Sequence, residues 1–443
     1  MSSLVRHIAL GAAAAIALSA SAGAQLLGVP VLPPIGLPVP TNLPLAGPAL
    51  QNILAQPSAQ QAISPTLDTV SGLTTGVAEA GAPTLLELRR LRLQELIRAN
   101  RGTVESDGNG LPVRRGIVAV VDPDPVGLQR ALAAGFRVTS DDRDAALGMR
   151  VVSLAASNGL SAKDALKRLH KIAPELRADF DHLFEPAGAG LFPIAATLAA
   201  VQRPGGGPTI GMIDGGVASH PSLGRASIEQ SGFAGAPQPT GHGTAVASLL
   251  VGSQGPFRGA ATGARLLVAD VYGGNRAAGS ATSIVRALDW LSAHRPKVIN
   301  ISLVGPQNVL VQRAIQIVQA RGIQVVAAVG NDGPAAPPAY PASYPGVIAV
   351  TAVDAGGRAL PEAGKPTHLD FAAPGADMAA ALPGNGYTRV RGTSFASPLA
   401  AARLLATGSP AALAGEARQG KGHVGRGIVC GACRIDPRVV GGR

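Results

Sequence analysis

The feature that most constrains the fold is a repeated alternation of short apolar segments and longer helical segments between residues 209 and 405. β-branched residues in the apolar segments predict strands, and the segments between them have helical periodicity. The predicted strands are 209–213, 265–271, 298–302, 324–329 and 347–353, and the predicted helices are 244–250, 283–293, 310–320 and 394–405. This alternation predicts an α/β domain with a doubly wound, mostly parallel sheet and helices on both faces. In such sheets, sites lie at the carboxyl ends of the strands.

A smaller pattern precedes this domain, between residues 114 and 186. Its predicted strands are 116–121, 136–139, 149–154 and 178–184, and its predicted helices are 126–134 and 161–172. The order β-α-β-β-α-β predicts a ferredoxin-like α+β sandwich. Upstream, Thr84 and Glu87 form a capping box that opens an amphipathic basic helix. We expect this helix to pack on the domain that follows, although its composition would also suit a membrane surface.

The N-terminus has the pattern of an export signal. A short basic start with Arg6 is followed by the apolar segment 8–20 and by Ala22-Gly23-Ala24, which matches a cleavage site. A membrane anchor is the alternative, but the apolar segment is shorter than the roughly 20 residues that span a bilayer. We predict a signal peptide at 1–24 and a periplasmic or extracellular location. The proline-rich segment 25–82 predicts a disordered linker.

Charge and cysteine content narrow the function classes. The formal net charge is +11, but basic runs interleaved with aromatic residues are missing, so we expect no nucleic-acid partner. The two cysteines, Cys430 and Cys433, lie in the basic tail 409–443. In an exported chain they predict a local disulfide. A redox centre would need a βαβ context and a zinc site would need more ligands.

Four polar residues lie at element boundaries in glycine-rich surroundings. Asp214 ends the first predicted strand, His242 stands between two glycines, Asn331 follows a strand, and Ser394 begins a helix. Each has a structural explanation when taken alone: a turn, core packing, a turn and a helix cap. All four on one sheet favour a catalytic site built around a nucleophile.

The motifs that carry these residues resemble the subtilase (S8) family of serine peptidases. They are MIDGGV, GHGTAVASLLVG, VINISLVGP, VVAAVGNDG, YPASYPGVIAVTAV, DFAAPG and GTSFASPLAA, between residues 200 and 408. The order Asp, His, Ser is the order known for subtilisin. The resemblance implies that Ser394 is the nucleophile, His242 the general base and acid, and Asp214 the residue that orients the imidazole. It implies an oxyanion hole formed by the Asn331 side chain and the Ser394 N–H.

The resemblance also implies a substrate cleft. Its implied residues are Gly279, Ser280, Ser302, Leu303, Val304, Ala328, Val329 and Gly330. This sequence departs from the family pattern at three positions. Ala245 stands where the family has a second histidine, and Thr351 and Val304 stand where glycine is frequent. A branched Val304 predicts a pocket for small or medium P1 residues. The family's long Asn/Asp loop is missing after residue 251, so we predict no metal or other cofactor and see no clear calcium site.

The combined prediction is an exported serine endopeptidase made as a zymogen. Residues 83–187 would be a propeptide that acts as folding template and intramolecular inhibitor, and 191–408 the catalytic domain. Self-cleavage would fall between Pro186 and Arg203. The enzyme would be a monomer without a stable membrane span and would cleave polypeptides through an acyl-enzyme. The alternative is a catalytically silent subtilase-fold binding or chaperone protein of the cell envelope.

Overall fold

The computed structural model describes residues 82–156, 159–187 and 206–441. The chain divides into two units, Met1–Leu88 and Arg89–Arg443, and every contact given below lies within the second. The predicted signal peptide, nearly all of the predicted linker, and most of the predicted processing region lie outside the described residues.

The elements of the described residues agree closely with the predicted pattern. The α-helices are α1 Ala82–Ala99, α2 Pro125–Ala133, α3 Ala162–Ile172, α4 Gly241–Val251, α5 Ala281–His294, α6 Val309–Ala320, α7 Thr393–Thr407 and α8 Pro410–Gly415. The first strands are β1 Val104–Ser106, β2 Pro112–Val121, β3 Arg137–Asp144, β4 Met149–Ala155, β5 Arg177–His182 and β6 Glu185–Pro186. The later strands are β7 Thr209–Asp214, β8 Ser227–Gly232, β9 Ser253–Gln254, β10 Phe257–Arg258, β11 Arg265–Asp270, β12 Val298–Ile301, β13 Leu303–Val304, β14 Gln324–Ala328, β15 Ile348–Val353, β16 Phe371–Pro374, β17 Met378–Ala381 and β18 Tyr387–Val390.

The larger domain is built on a seven-stranded parallel sheet in the order β16-β15-β14-β12-β7-β11-β8. The predicted doubly wound α/β fold is therefore confirmed. The prediction missed both edge strands, β8 and β16. Their sequences, SIEQSG and FAAP, are too polar or too short to show a strand pattern, and main-chain pairing with a longer neighbour forms them instead.

The two faces of this sheet bury alternate side chains against two pairs of helices. Met212 points into a core with α4 and α7, whereas its neighbour Ile213 points into a second core with α5 and α6. This alternation follows from the two-residue repeat of a strand. Because both faces are covered, the inner strands are largely apolar, and most polar groups lie at the strand ends.

The helix starts differ in a way that matters for the site. Side chains cap α4, α5 and α6, namely those of Thr240, Ser280 and Asn308. The residue that precedes α7 is Gly392, which has no side chain to cap with. The first N–H groups of α7 are therefore left for other partners.

The smaller domain has the antiparallel strand order β3-β4-β2-β5, with β1 also paired to β2. One face of this sheet, including Val118 and Val120, packs against α2 and α3. The opposite face, including Val121 and Val151, belongs to the same buried cluster as α5 and α6 of the larger domain. The strand β3 extends well beyond the predicted 136–139, because its polar residues pair with β4 through the main chain.

Carboxylates of the smaller domain also meet the N-termini of these two helices. Asp181 accepts hydrogen bonds from Thr282 N at 2.9 Å and Thr282 Oγ1 at 3.0 Å, and Asp179 accepts one from Val309 N at 3.0 Å. Burial raises the pKa of both carboxyls, and the hydrogen bonds oppose that shift. Negative groups at helix N-termini are favourable, so these contacts specify how the two domains align.

The tail packs back on the larger domain. Ile428 forms a parallel bridge with Ala372 on the edge strand β16, and Ala379 N donates to Ile435 O at 2.9 Å. Cys430 and Cys433 form a disulfide with a Cα–Cα distance of 5.2 Å. In the described part of the chain, every helix is too short or too polar to cross a membrane.

Deleting residues 416–443 is expected to destabilise the protein strongly. The deletion uncovers the edge strand β16 and removes Ile435 from a buried cluster with Phe257 and Ala379. Each buried aliphatic side chain contributes roughly 1.5–3 kcal/mol, so we expect the midpoint of thermal unfolding to fall by at least about 10 °C.

The control is the double substitution Cys430→Ser and Cys433→Ser in the full chain. The disulfide closes only a short loop, so its removal should lower the free energy of unfolding by no more than about 2 kcal/mol. Calorimetry on both proteins makes the comparison. A truncated chain as stable as the full one would contradict the packing role of the tail.

Candidate active site

The first predicted site residue, Asp214, ends β7 beside a crowded backbone turn. Its Oδ1 accepts a hydrogen bond from Gly215 N at 2.7 Å. A side chain at Gly243 would collide with the backbone of Gly215 and Gly216. The glycines of both motifs are therefore explained by one close approach, which brings the start of α4 against the end of β7.

The imidazole of His242 lies in the first turn of α4 and faces Asp214. Its Nδ1 lies 2.9 Å from both carboxylate oxygens, and both side chains are buried. Donation from Nδ1 leaves Nε2 as the basic nitrogen. The ring centroid lies 5.4 Å from that of Phe395, which follows Ser394 in α7.

Ser394 is the second residue of α7 and is fully buried. Within the described residues, neither Ser394 Oγ nor His242 Nε2 has a hydrogen-bond partner. The Ser394 N–H lies in the first turn of α7, where the backbone offers no acceptor four residues earlier. The preceding Gly392 has φ 137°, and a Cβ there would lie 2.8 Å from Asn331 Nδ2. Only glycine suits that position.

Asn331 is oriented by the same helix start. Its Oδ1 accepts a hydrogen bond from Thr393 N at 3.0 Å. The amide Nδ2 then faces outward and donates to the carbonyl oxygen of Ala187. The side chain predicted to bind an oxyanion therefore binds a peptide carbonyl from the smaller domain.

That carbonyl belongs to a segment that runs between two strands of the larger domain. We call residues 183–187 the cleft strand. On one side, Phe184 N donates to Gly279 O at 2.7 Å, and Leu183 forms an antiparallel bridge with Ser280. Tyr272 Oη donates to Phe184 O at 3.1 Å. The predicted residues Gly279 and Ser280 thus pair with an extended peptide.

The other side of the cleft strand pairs with residues 302–304. Ala187 N donates to Ser302 O at 2.9 Å. The predicted residues Leu303 and Val304 form β13, which pairs antiparallel with β6. An extended peptide between two cleft walls, with a carbonyl at Asn331, has the arrangement of a bound substrate.

The remaining predicted cleft residues lie between the sheet and α7. Ala328 ends β14, Val329 N donates to Val350 O at 3.2 Å, and Gly330 N donates to Thr393 Oγ1 at 3.1 Å. A Cβ at Gly330 would lie 3.5 Å from Val304 Cγ1. The Val304 side chain therefore stands close to this wall, as a narrow pocket requires, while substrate binding by Ala328, Val329 and Gly330 stays a prediction.

A buried polar network joins the start of α7 to the end of β12. Pro398 has no N–H to donate to the Ser394 carbonyl one turn earlier. Ser302 Oγ donates to that carbonyl instead, at 3.0 Å. Asn300 Nδ2 donates to Ser302 Oγ at 2.9 Å, and Ser397 Oγ donates to Asn300 Oδ1 at 2.6 Å. The network connects β12 to the helix that carries Ser394.

Neither Asn300 nor Ser397 was among the predicted site residues. A signal existed in both cases. An asparagine within the apolar strand VINI must find partners when it is buried, and a proline inside a helix frees a carbonyl that needs another donor.

Two further side chains near the cleft, Tyr272 and Asp270, have pKa values above their ordinary ranges. Burial raises the pKa of Tyr272 well above its usual value, which keeps its hydroxyl neutral as a donor to Phe184 O. Burial also raises the pKa of Asp270, although backbone N–H groups of Gln238, Tyr272 and Gly273 oppose the shift. In the described ranges, no group of three or more His, Cys, Asp or Glu side chains is placed to hold a metal ion.

Comparisons with known proteins agree with this geometry. The sequence profile of the Subtilase family matches residues 205–411. Subtilisin Savinase from Lederbergia lenta is 33% identical over 200 residues, which cover 44% of this chain and 73% of Savinase. Subtilisin DY from Bacillus licheniformis is 34% identical over 221 residues, which cover 47% of this chain and 80% of its own.

A solved structure shares the fold. Fervidolysin from Fervidobacterium pennivorans, described as a keratinolytic enzyme related to subtilisin, superimposes with a TM-score of 0.59 at 20% identity. The match covers 72% of this chain and 61% of that one, so it extends beyond the region of the family profile. At this identity the likeness supports the fold alone. The family profile and the two subtilisins lead to one conclusion: the chain belongs to the subtilase family, and its enzyme class is that of a serine-type endopeptidase.

Proposed function

We propose that the chain is the zymogen of an exported endopeptidase that hydrolyses peptide bonds through Asp214, His242 and Ser394. One observation carries the proposal most directly. A peptide carbonyl, that of Ala187, lies on Asn331 Nδ2 beside the helix that begins with Thr393 and Ser394. We take Ser394 as the nucleophile, His242 as its base and Asn331 as an oxyanion donor for this peptide.

The proposed chemistry uses each group at a stated atom. Ser394 Oγ attacks the carbonyl carbon while His242 Nε2 takes its proton, and Asp214 stabilises the imidazolium through Nδ1. Asn331 Nδ2 and the Ser394 N–H hold the negative oxygen of the tetrahedral intermediate. Loss of one such donor lowers turnover by about 10²–10³ in subtilisin itself. The imidazolium then protonates the leaving amine, and water hydrolyses the acyl-enzyme by the same steps.

The position of Ala187 suggests which bond the zymogen cuts first. Its carbonyl is the one that Asn331 binds, so the scissile bond would be Ala187–Gly188. After cleavage, residues 83–187 would stay bound as an inhibitor, because the cleft strand keeps its hydrogen bonds to both walls. The apolar face that includes Val121 and Val151 supports the same idea, since it is buried against α5 and α6.

Export is part of the proposal and rests on the N-terminal sequence. Residues 1–24 have the pattern of a signal peptide, and the disulfide between Cys430 and Cys433 suits an oxidising compartment. The alternative of a silent binding or chaperone protein is not favoured, because a decaying site would be expected to lose one of its four catalytic-type residues.

Labelling by a fluorophosphonate separates these two functions. We expect the processed wild-type protein to be labelled, because we assign His242 Nε2 as the base that activates Ser394 Oγ. Ser394→Ala should not be labelled at all. Asp214→Asn should be labelled far more slowly, because the imidazole loses its orienting partner.

The measurement is gel fluorescence against time, with Ser248→Ala as a control for loss of a buried serine hydroxyl elsewhere. Absence of labelling in processed wild-type protein would favour the silent protein.

Val304→Gly is expected to widen the pocket for the first residue before the scissile bond. The Val304 side chain stands near Gly330, so its removal makes room for larger groups. Pocket volume of this order changes relative rates about 10–200-fold. We expect the ratio of kcat/KM for phenylalanine over alanine at P1 to rise at least about tenfold. An unchanged ratio would remove Val304 from the pocket.

A further inference from the structure

A buried carboxylate lies in the middle of the cleft strand. The Glu185 side chain is only 7% exposed. Its Oε1 accepts a hydrogen bond from Arg276 Nη2 at 3.2 Å, and its Oε2 accepts one from Arg92 Nε at 3.2 Å. Burying a carboxylate is costly unless it is paired, so these two arginines are what permits an acidic residue here.

The two arginines belong to different parts of the zymogen. Arg92 lies on α1, within the proposed propeptide, and would leave with it. Arg276 belongs to the catalytic domain, on a short 3₁₀ turn Arg276–Ala278 whose start is capped by Asn275. Gly279, which pairs with the cleft strand, follows this turn directly. Arg276 therefore remains at the cleft wall of the mature enzyme.

The register of the cleft strand gives Glu185 its place relative to the scissile bond. Ala187 is the residue whose carbonyl meets Asn331, so Glu185 lies at the third position before the cut, P3. We propose that Arg276 is a specificity-determining residue that makes the mature enzyme prefer substrates with an acidic side chain at P3. This inference rests on the proposed function, because it takes the cleft strand as a substrate analogue.

An opposing charge limits the size of the preference. Asp332 pairs with Arg92 at 3.1 Å and with Arg89 at 3.1 Å in the zymogen, and both arginines would leave with the propeptide. Because Arg92 pairs with both Glu185 and Asp332, the Asp332 carboxylate would then lie near the P3 subsite. Arg276 touches a P3 carboxylate directly, whereas Asp332 is separated from it by the width of a guanidinium group. Because attraction and repulsion fall with distance, the closer arginine should prevail.

The test uses processed enzyme and three chromogenic peptides, acetyl-Phe-Xaa-Pro-Ala-p-nitroanilide with Xaa as Glu, Gln or Lys. The peptide copies residues 184–187 except at Xaa. We expect kcat/KM for Glu to exceed that for Gln by about three- to tenfold, in the range of a partly exposed ion pair. The ratio should fall towards one in Arg276→Gln. In Arg276→Glu, the Lys peptide should become the best of the three.

Two further variants keep the result interpretable. Asp332→Asn should raise the Glu-to-Gln ratio above that of wild type, because the opposing charge is removed. Arg258→Gln is the matched control: it also removes one positive charge, but Arg258 is exposed and its hydrogen bond is to its neighbour's carbonyl. Its ratio should equal that of wild type. Fluorophosphonate titration sets the concentration of active enzyme in each sample.

The outcomes separate this inference from the proposed function. Equal kcat/KM for the Glu and Gln peptides in wild type, with hydrolysis that depends on Ser394, overturns the role of Arg276 and leaves the peptidase intact. A Glu preference that persists in Arg276→Gln also overturns it. If processed wild type hydrolyses none of the peptides and is not labelled, the proposed function fails and the inference fails with it.

Discussion

The parallel sheet is the constraint on which the site depends. Parallel strands place all their carboxyl ends at one edge, so residues far apart in the chain meet there. Asp214 ends β7, Ser302 follows β12, and Asn331 follows β14. Helices α4 and α7 begin close to this edge and supply His242 and Ser394. The site is therefore a consequence of strand order as much as of residue identity.

A second layer of buried polar contacts holds these groups in place. Asn331 is oriented by Thr393 N, and Ser302 supports the Ser394 carbonyl that Pro398 leaves without a helical donor. Such networks are favourable only when every member has its partner. Ser302 serves the site twice, since its own carbonyl also receives Ala187 N. The end of β12 therefore contacts both the helix that carries Ser394 and the cleft strand.

The sequence predicted those features that depend on residues close together in the chain. Each strand and helix predicted in the larger domain exists in the structure. Asp214 ends a strand, Asn331 follows one, and His242 and Ser394 lie in first helical turns, while their catalytic roles stay a prediction. The edge strands were missed because β8 and β16 form through pairing with neighbours rather than through a pattern of their own.

Contacts between distant segments were equally invisible. Glu185 and Arg276 are 91 residues apart in the chain, and no periodicity connects them. Only the register of the cleft strand against residues 279–280 and 302–304 brings them together. The proposed cleavage at Ala187–Gly188, within the broad predicted processing region, rests on the same register. The role of residues 183–187 therefore depends on tertiary geometry, which a linear pattern does not contain.

We propose that the cleft strand lies in the active site as the first substrate of the enzyme. The most direct measurement is the N-terminal residue of the earliest processed product, followed by intact mass during a time course with purified full-length protein. We expect Gly188 as the first residue for wild type, and a chain that stays uncut when Ser394 is replaced by alanine. A first cut at another bond, or the same cut in purified Ser394→Ala, would contradict it.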